Sequence, residues 1–201
     1  MKIENTNQLR ELYDSPSGRA KDKSLLSLEK HTINFIDKSP FLVISTYDKD
    51  GKVDASPRGG KPGFVKVLSN QEIVIPDSKG NNRIDSLINI VDSGRIGMLF
   101  LIPGVDETLR INGKAYISTD VKLLDLFSTE SNPPKSCIVI TIEEVFLHCA
   151  KALMRSNLWN ENSKINRSNF PTIGQMLKDQ LGTSGEIESQ EAMLKRYKKD
   201  L

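Results

Sequence analysis

Arg58, Lys79, Asn82 and Arg83 lie in two short stretches rich in Gly, Pro and Asn. These are Asp-Ala-Ser-Pro-Arg-Gly-Gly at 54–60 and Ile-Pro-Asp-Ser-Lys-Gly-Asn-Asn-Arg-Ile-Asp-Ser-Leu at 75–87. The second runs straight into a helix. A helix start gathers unpaired N–H groups and the positive end of the macrodipole, a setting that suits a phosphate. Lys79, Asn82 and Arg83 stand at that start and Arg58 can approach from the first stretch, which reads as a turn, so together they read as a phosphate-anchored cofactor site. Neither Gly-x-x-x-x-Gly-Lys-Ser/Thr nor Gly-x-Gly-x-x-Gly occurs, so no general nucleotide motif is involved. The plainer alternative for Arg83 is a solvated arginine paired with Asp77 or Asp85, and for Arg58 an exposed loop residue.

Lys151, Arg155 and Trp159 recur at i, i+4 and i+8, so they share one face if the helix there persists. That face either packs the tryptophan on the body of the protein or covers an anionic, aromatic ligand. His148 and Cys149 are adjacent and point to opposite faces of a strand, which argues against a metal pair. His31 reads as a helix-surface residue. No acid–base pair or nucleophile stands out.

The totals bound these readings. A chain of 201 residues can bury one core. Its 28 basic and 26 acidic residues leave a net charge of +2, so no global field draws it to nucleic acid or membrane. The opening residues lack a signal-peptide core, and the apolar run at 96–102 is too short to span a bilayer. Cys137 and Cys149 lack metal-ligand spacing, so a reduced, cytoplasmic protein is expected, with a disulfide between them as the lesser alternative.

The elements that must position these residues follow from periodicity. Leu9 and Leu12 suggest a short helix; Leu25, Leu28, Thr32, Phe35 and Ile36 suggest a second that stops at Ser39-Pro40. Strands are expected at 41–47, at 52–56 after an Asp-Gly type turn, and at 63–68 and 72–75 as a hairpin. Ile84, Leu87, Ile88 and Val91 mark a helix ended by Ser93-Gly94. Residues 95–102 read as a strand buried on both faces. Residues 107–118 form a long alternating strand with a bulge at Asn112-Gly113. Asp120 caps a short helix, 136–147 is the last long strand, and helices follow at 150–155, 172–181 and 184–199. Helices, then an antiparallel meander, then helices describe a small closed barrel with flanking helices.

Four motifs in order make the chain resemble the pyridoxamine 5′-phosphate oxidase-like flavoproteins, the split β-barrel FMN-binding family. They are Ser-Pro-Arg-Gly at 56–59, Ile-Pro-Asp-x-x-Gly-Asn-Asn-Arg at 75–83, Leu-Phe-Leu-Ile-Pro-Gly-x-x-Glu-Thr-Leu-Arg-Ile-Asn-Gly at 99–113, and His-Cys-Ala-Lys-Ala-Leu-Met-Arg-Ser-x-Leu-Trp at 148–159. The resemblance implies a mainly β, α+β fold: a split antiparallel β-barrel at 41–150, with helical segments at 1–40 and 151–201 in a single domain. It implies FMN as cofactor, a homodimer sharing its site between subunits, and oxidoreductase chemistry on a small molecule. Arg83 falls on the family's phosphate-binding lysine and Asn82 on its neighbouring arginine. Arg58 corresponds to a further phosphate arginine, with Lys66 as the alternative. Thr108 falls on a glutamine near the flavin ring, with Arg110 following. Arg110, Lys151 and Arg155 are the cations to favour a reduced, anionic flavin, and Trp159 belongs to the covering segment. The oxidases' C-terminal tryptophan and arginine segment has no match here, so a vitamin B6 substrate is not implied. Two other classes stay open: a non-catalytic flavin-binding or redox-sensing module, and a split barrel using deazaflavin or haem, the latter ligated by His31 or His148.

Overall fold

The switch from helical to two-residue periodicity after Ser39-Pro40 is where the sheet begins. A computed structural model describes residues 2–201. Its strands are β1 (Phe41–Tyr47), β2 (Val53–Gly59), β3 (Lys66–Val67), β4 (Glu72–Pro76), β5 (Arg95–Leu101), β6 (Thr108–Ser118) and β7 (Cys137–His148). They form one antiparallel sheet in the order β2-β1-β5-β6-β7-β4-β3. The helices are α1 (Thr6–Leu12), α2 (Arg19–Asp22), α3 (Lys30–Lys38), α4 (Asp85–Ser93), α5 (Val121–Leu124), α6 (Lys151–Ser156), α7 (Ile173–Leu181) and α8 (Gln190–Tyr197). This is the α+β, split-barrel architecture, but the sheet is not closed, contrary to the closed barrel expected. β2 and β3 are its edges. β3 has only two residues to offer a ladder, and β2 carries Pro57, which has no N–H to donate and is tolerated at an edge.

β2 also corrects the reading of its own sequence. Ser56 to Gly59 is no turn: the strand runs through it, pairing Arg58 with Leu42 and Pro57 with Val43. β5 is not buried on both faces. Ile96, Met98 and Phe100 point into the core while Gly97, Leu99 and Leu101 are only half-covered. Continuous burial belongs instead to β4 and the first part of β7. There Ile73, Ile75, Ile138 and Ile140 face the main core. Val74, Cys137 and Val139 form a second cluster with Phe127, against which Leu123 and Leu124 of α5 pack. The expected bulge sits between Asn112 and Gly113. A Cβ on Gly113 would lie 2.2 Å from the Thr141 carbonyl oxygen, so only glycine fits that crossing.

Before the sheet, α3 starts at a capping box between Glu29 and Thr32 and buries Thr32, Phe35 and Ile36. Leu25 is outside it, because its N–H and C=O both bond to Val145 on β7. α4 stands where expected, yet its apolar stripe faces outward: Ile84, Ile88 and Val91 are 48%, 50% and 73% exposed. Ser86, Asn89 and Ile90 face inward instead. Asn89 Nδ2 donates to Thr46 Oγ1 at 3.0 Å and Ser86 Oγ to Asp54 Oδ2 at 2.5 Å, so two polar side chains tie the helix to β1 and β2. After β7, α6 ends at Asn157, which takes a left-handed conformation (φ 49°). The helix expected over 184–199 is confined to α8. Gly185 (φ 141°) lies before it, and Ser189 caps its start by accepting the Ala192 N–H.

Candidate functional site

Three segments meet around a cavity of about 480 Å³, within the range of small-molecule pockets. β2 brings Ser56 and Arg58, the β4–α4 connection brings Asp77 to Arg83 with Ile84 and Leu87 behind it, and the loop before β7 brings Asn132, Pro133 and Lys135. No side chain caps α4, so its first N–H groups are left for water or a ligand. Asn82 lines the cavity in a left-handed conformation (φ 61°), which asparagine tolerates better than most residues. Asn81 Oδ1 accepts the Arg83 N–H at 3.0 Å and fixes the turn just before the helix.

The cations differ in how they are held. Arg58 is half-buried, and its Nη1 donates to Ser56 Oγ at 2.6 Å and to the Pro57 carbonyl at 2.8 Å. Burial pulls its pKa down, while Asp77 and Asp54 push it back up. Asp77 answers in kind: burial raises its pKa and Arg58 lowers it. Arg83 Nε donates to Asp85 at 2.7 Å, the pairing foreseen as its plainer alternative, with its side chain 79% exposed. Lys79 Nζ is paired with Asp200 at 2.5 Å.

The cavity thus brings together Arg58, Lys79, Asn82 and Arg83, which sequence alone had grouped, and Arg58 reaches it from a strand rather than a turn. The other six expected residues do not line it. Lys66 donates to the Gly63 carbonyl at 2.9 Å and lies over the Phe127 ring. Thr108 is buried at the start of β6, opposite His148. Arg110 lies 4.9 Å over the Phe146 ring and 3.7 Å from Glu144, and its buried Nε has no hydrogen-bond partner. Lys151 and Arg155 are exposed on α6. Trp159 lies beyond the end of that helix, so the single face proposed for the three residues does not form. Its Nε1 donates to the Val105 carbonyl at 2.9 Å, a packing contact. Asn132 and Lys135 are pocket residues that sequence reading passed over, and Asp77 entered it only as a partner for Arg83. The Asn-Pro-Pro-Lys stretch at 132–135 signals only a break in the chain, and nothing local ties it to Arg58 or to the stretch at 77–83.

The histidines and cysteines add little. The His148 ring lies against that of Phe146, with centroids 4.9 Å apart and planes tilted by 51°, and burial with Lys23 and Arg110 nearby lowers its pKa. Cys137 and Cys149 are free thiols at opposite ends of β7. Among the described residues, no group of His, Cys, Asp and Glu is arranged to hold a metal, and no helix is long and apolar enough to cross a membrane.

Comparison with known families decides the kinship. The family model described as pyridoxamine 5′-phosphate oxidase matches residues 28–149, more than half of the chain. The chain belongs to the pyridoxamine 5′-phosphate oxidase family. The match spans all seven strands and the whole pocket. No curated protein matches the sequence. Among solved structures, a point variant of HupZ from Group A Streptococcus is 18% identical at a TM-score of 0.50, covering 60% of this chain and 98% of that one. The unmutated HupZ gives the same identity and TM-score over 60% of this chain and 93% of that one. At that identity the likeness is one of fold.

Proposed function

We propose that this member of the family binds FMN, with the phosphate in the cavity at the start of α4, and acts as a homodimeric FMN-dependent oxidoreductase on a small molecule in the cytoplasm. Nucleic acid and membrane play no part in this reading. The observation that supports it best is the convergence of Arg58, Lys79 and Arg83 on an uncapped helix start, a donor set chemically suited to a phosphate monoester. FMN held there would supply hydride or electron transfer. The chain's own work is to hold and orient. Arg58, Lys79 and Arg83 provide charge, Asn82 the turn and a neutral donor, and the first N–H groups of α4 a fixed dipole. Arg110, on β6 outside the cavity, is the cation the family resemblance sets at the ring edge, with Thr108 two residues before it. Lys151 and Arg155, exposed on α6, are the further cations proposed for that edge. Lys66 and Trp159 hold their packing contacts and serve the site indirectly.

The test is a visible spectrum of the purified protein reconstituted with FMN, followed by titration of FMN and riboflavin. A flavin spectrum with clear preference for FMN supports the reading. Equal affinity for the two would remove the phosphate from the argument, and a haem or deazaflavin spectrum would replace the cofactor. Bleaching by NADH or NADPH separates the enzyme from a non-catalytic flavin-binding or redox-sensing module.

A further inference from the structure

Of the four cations that line the cavity, three already face a carboxylate. Arg58 has Asp77 and Asp54 as charged neighbours, Lys79 is paired with Asp200, and Arg83 with Asp85. A ligand anion that engages any of these competes with a protein anion that is already there. Lys135 is different: among the described residues it makes no ion pair and no side-chain hydrogen bond, and it lines the cavity beside the β4–α4 connection.

Its position is built rather than incidental. The β4–β7 ladder places Pro76 opposite Cys137, and the Asp77 N–H continues it by donating to the Ser136 carbonyl at 3.0 Å. That register sets Lys135 across from Ser78, between Asp77 and Lys79. Pro133 and Pro134 precede it, the second of them buried, so the backbone that carries the lysine has little freedom to lose when a ligand arrives. A lysine that is already unpaired and held on a stiff support gives up less on meeting an anion than one that must first leave a partner.

We infer that Lys135 is a ligand-binding residue of this pocket, meeting the ligand's phosphate as the one lining cation that no carboxylate already holds. This rests on the phosphate reading above and deepens it. An unpaired cation added to Arg58, Lys79 and Arg83 favours a terminal phosphate monoester, which carries about two negative charges, over a ligand with one singly charged oxygen. Asp77, the one acid in the lining, adds an acceptor suited to a hydroxyl or N–H of the ligand.

The experiment is calorimetric titration of inorganic phosphate, FMN and riboflavin into the wild type, Lys135→Gln and Lys135→Arg, near neutral pH. Lys135 is exposed, so both variants should melt with the wild type. Losing one charge-assisted contact should weaken both phosphate and FMN by about tenfold in Lys135→Gln, leave riboflavin unchanged, and be largely restored in Lys135→Arg. Unchanged affinity for phosphate and FMN in Lys135→Gln would overturn the inference and leave the FMN reading standing. Phosphate binding that depends on Lys135 in a protein with no affinity for FMN would do the reverse. A wild type that binds neither would overturn both.

Discussion

Arg58 and Arg83 both face the cavity, yet their surroundings give them unequal weight. Arg83 lies in solvent and shares its charge with Asp85, where screening keeps ion pairs weak. Arg58 is partly withdrawn from water, held by Ser56 and the Pro57 carbonyl, and so arrives at the ligand already oriented. Arg58→Ala should therefore weaken FMN by about 1.5–3 kcal/mol, roughly ten- to a hundredfold, with riboflavin little affected. Arg83→Ala should cost less than Arg58→Ala in the same titration, and the reverse order would show that exposure does not rank these contacts. His148 gives a prediction in pH. Burial and the charges of Lys23 and Arg110 disfavour its charged form, so its folded pKa lies below its ordinary value. The unfolded chain then binds the proton more readily, and His148 costs the protein stability as pH falls from about 6.5 toward that lowered value. In urea melts across this window, His148→Gln should lose stability more slowly on acidification than the wild type. Parallel slopes would remove the histidine from the acid response.

At the scale of elements, the bulge of β6 is the most demanding piece of backbone. Gly113 passes so close to the Thr141 carbonyl that an added methyl group must push β6 and β7 apart, and backbone cannot yield as a flexible side chain does. Gly113→Ala should lower stability by about 1–3 kcal/mol, the range for overpacking, measured as a fall in the denaturation midpoint. Trp159→Ala should also cost stability, because Trp159 is half-buried and bonded to Val105, while leaving the spectrum of bound flavin unmoved. A changed flavin spectrum would return Trp159 to the site. The same elements show what could be read from sequence. The bulge was legible because Asn-Gly interrupts an alternating run, and the cap at Asp120 because its type and place are local signals. The inward face of α4 was not. Ser86 and Asn89 are drawn in by Asp54 and Thr46, partners on other strands, and periodicity assigns the buried face to the apolar stripe instead. Arg58 was found for the site but placed in a turn, because a proline beside two glycines reads as punctuation until the strand is known to be an edge. Lys135 was missed for a related reason: only the register between β4 and β7 brings it beside Lys79.

For the whole molecule, the outward stripe of α4 is the feature a monomer explains least. Ile84, Ile88 and Val91 lie on a helix packed against β1 and β2, whose Tyr47 and Val53 are also exposed. Ile84 belongs at once to this stripe and to the wall of the cavity, so whatever covers the stripe also narrows the mouth of the pocket. A second copy of the chain is the simplest cover, since self-association of one patch closes into a two-fold pair. Sedimentation of the FMN-loaded protein at micromolar concentration should then show a dimer. Ile88→Glu combined with Val91→Glu should shift it to monomer with little loss of fold, as both side chains sit in solvent within one chain. FMN affinity should fall with it, because the cavity mouth loses its cover. A wild-type monomer with FMN fully bound would defeat the homodimer itself. A dimer that survives both glutamates would keep the assembly and move its interface away from α4, which would leave the pocket open to solvent as it stands in one chain.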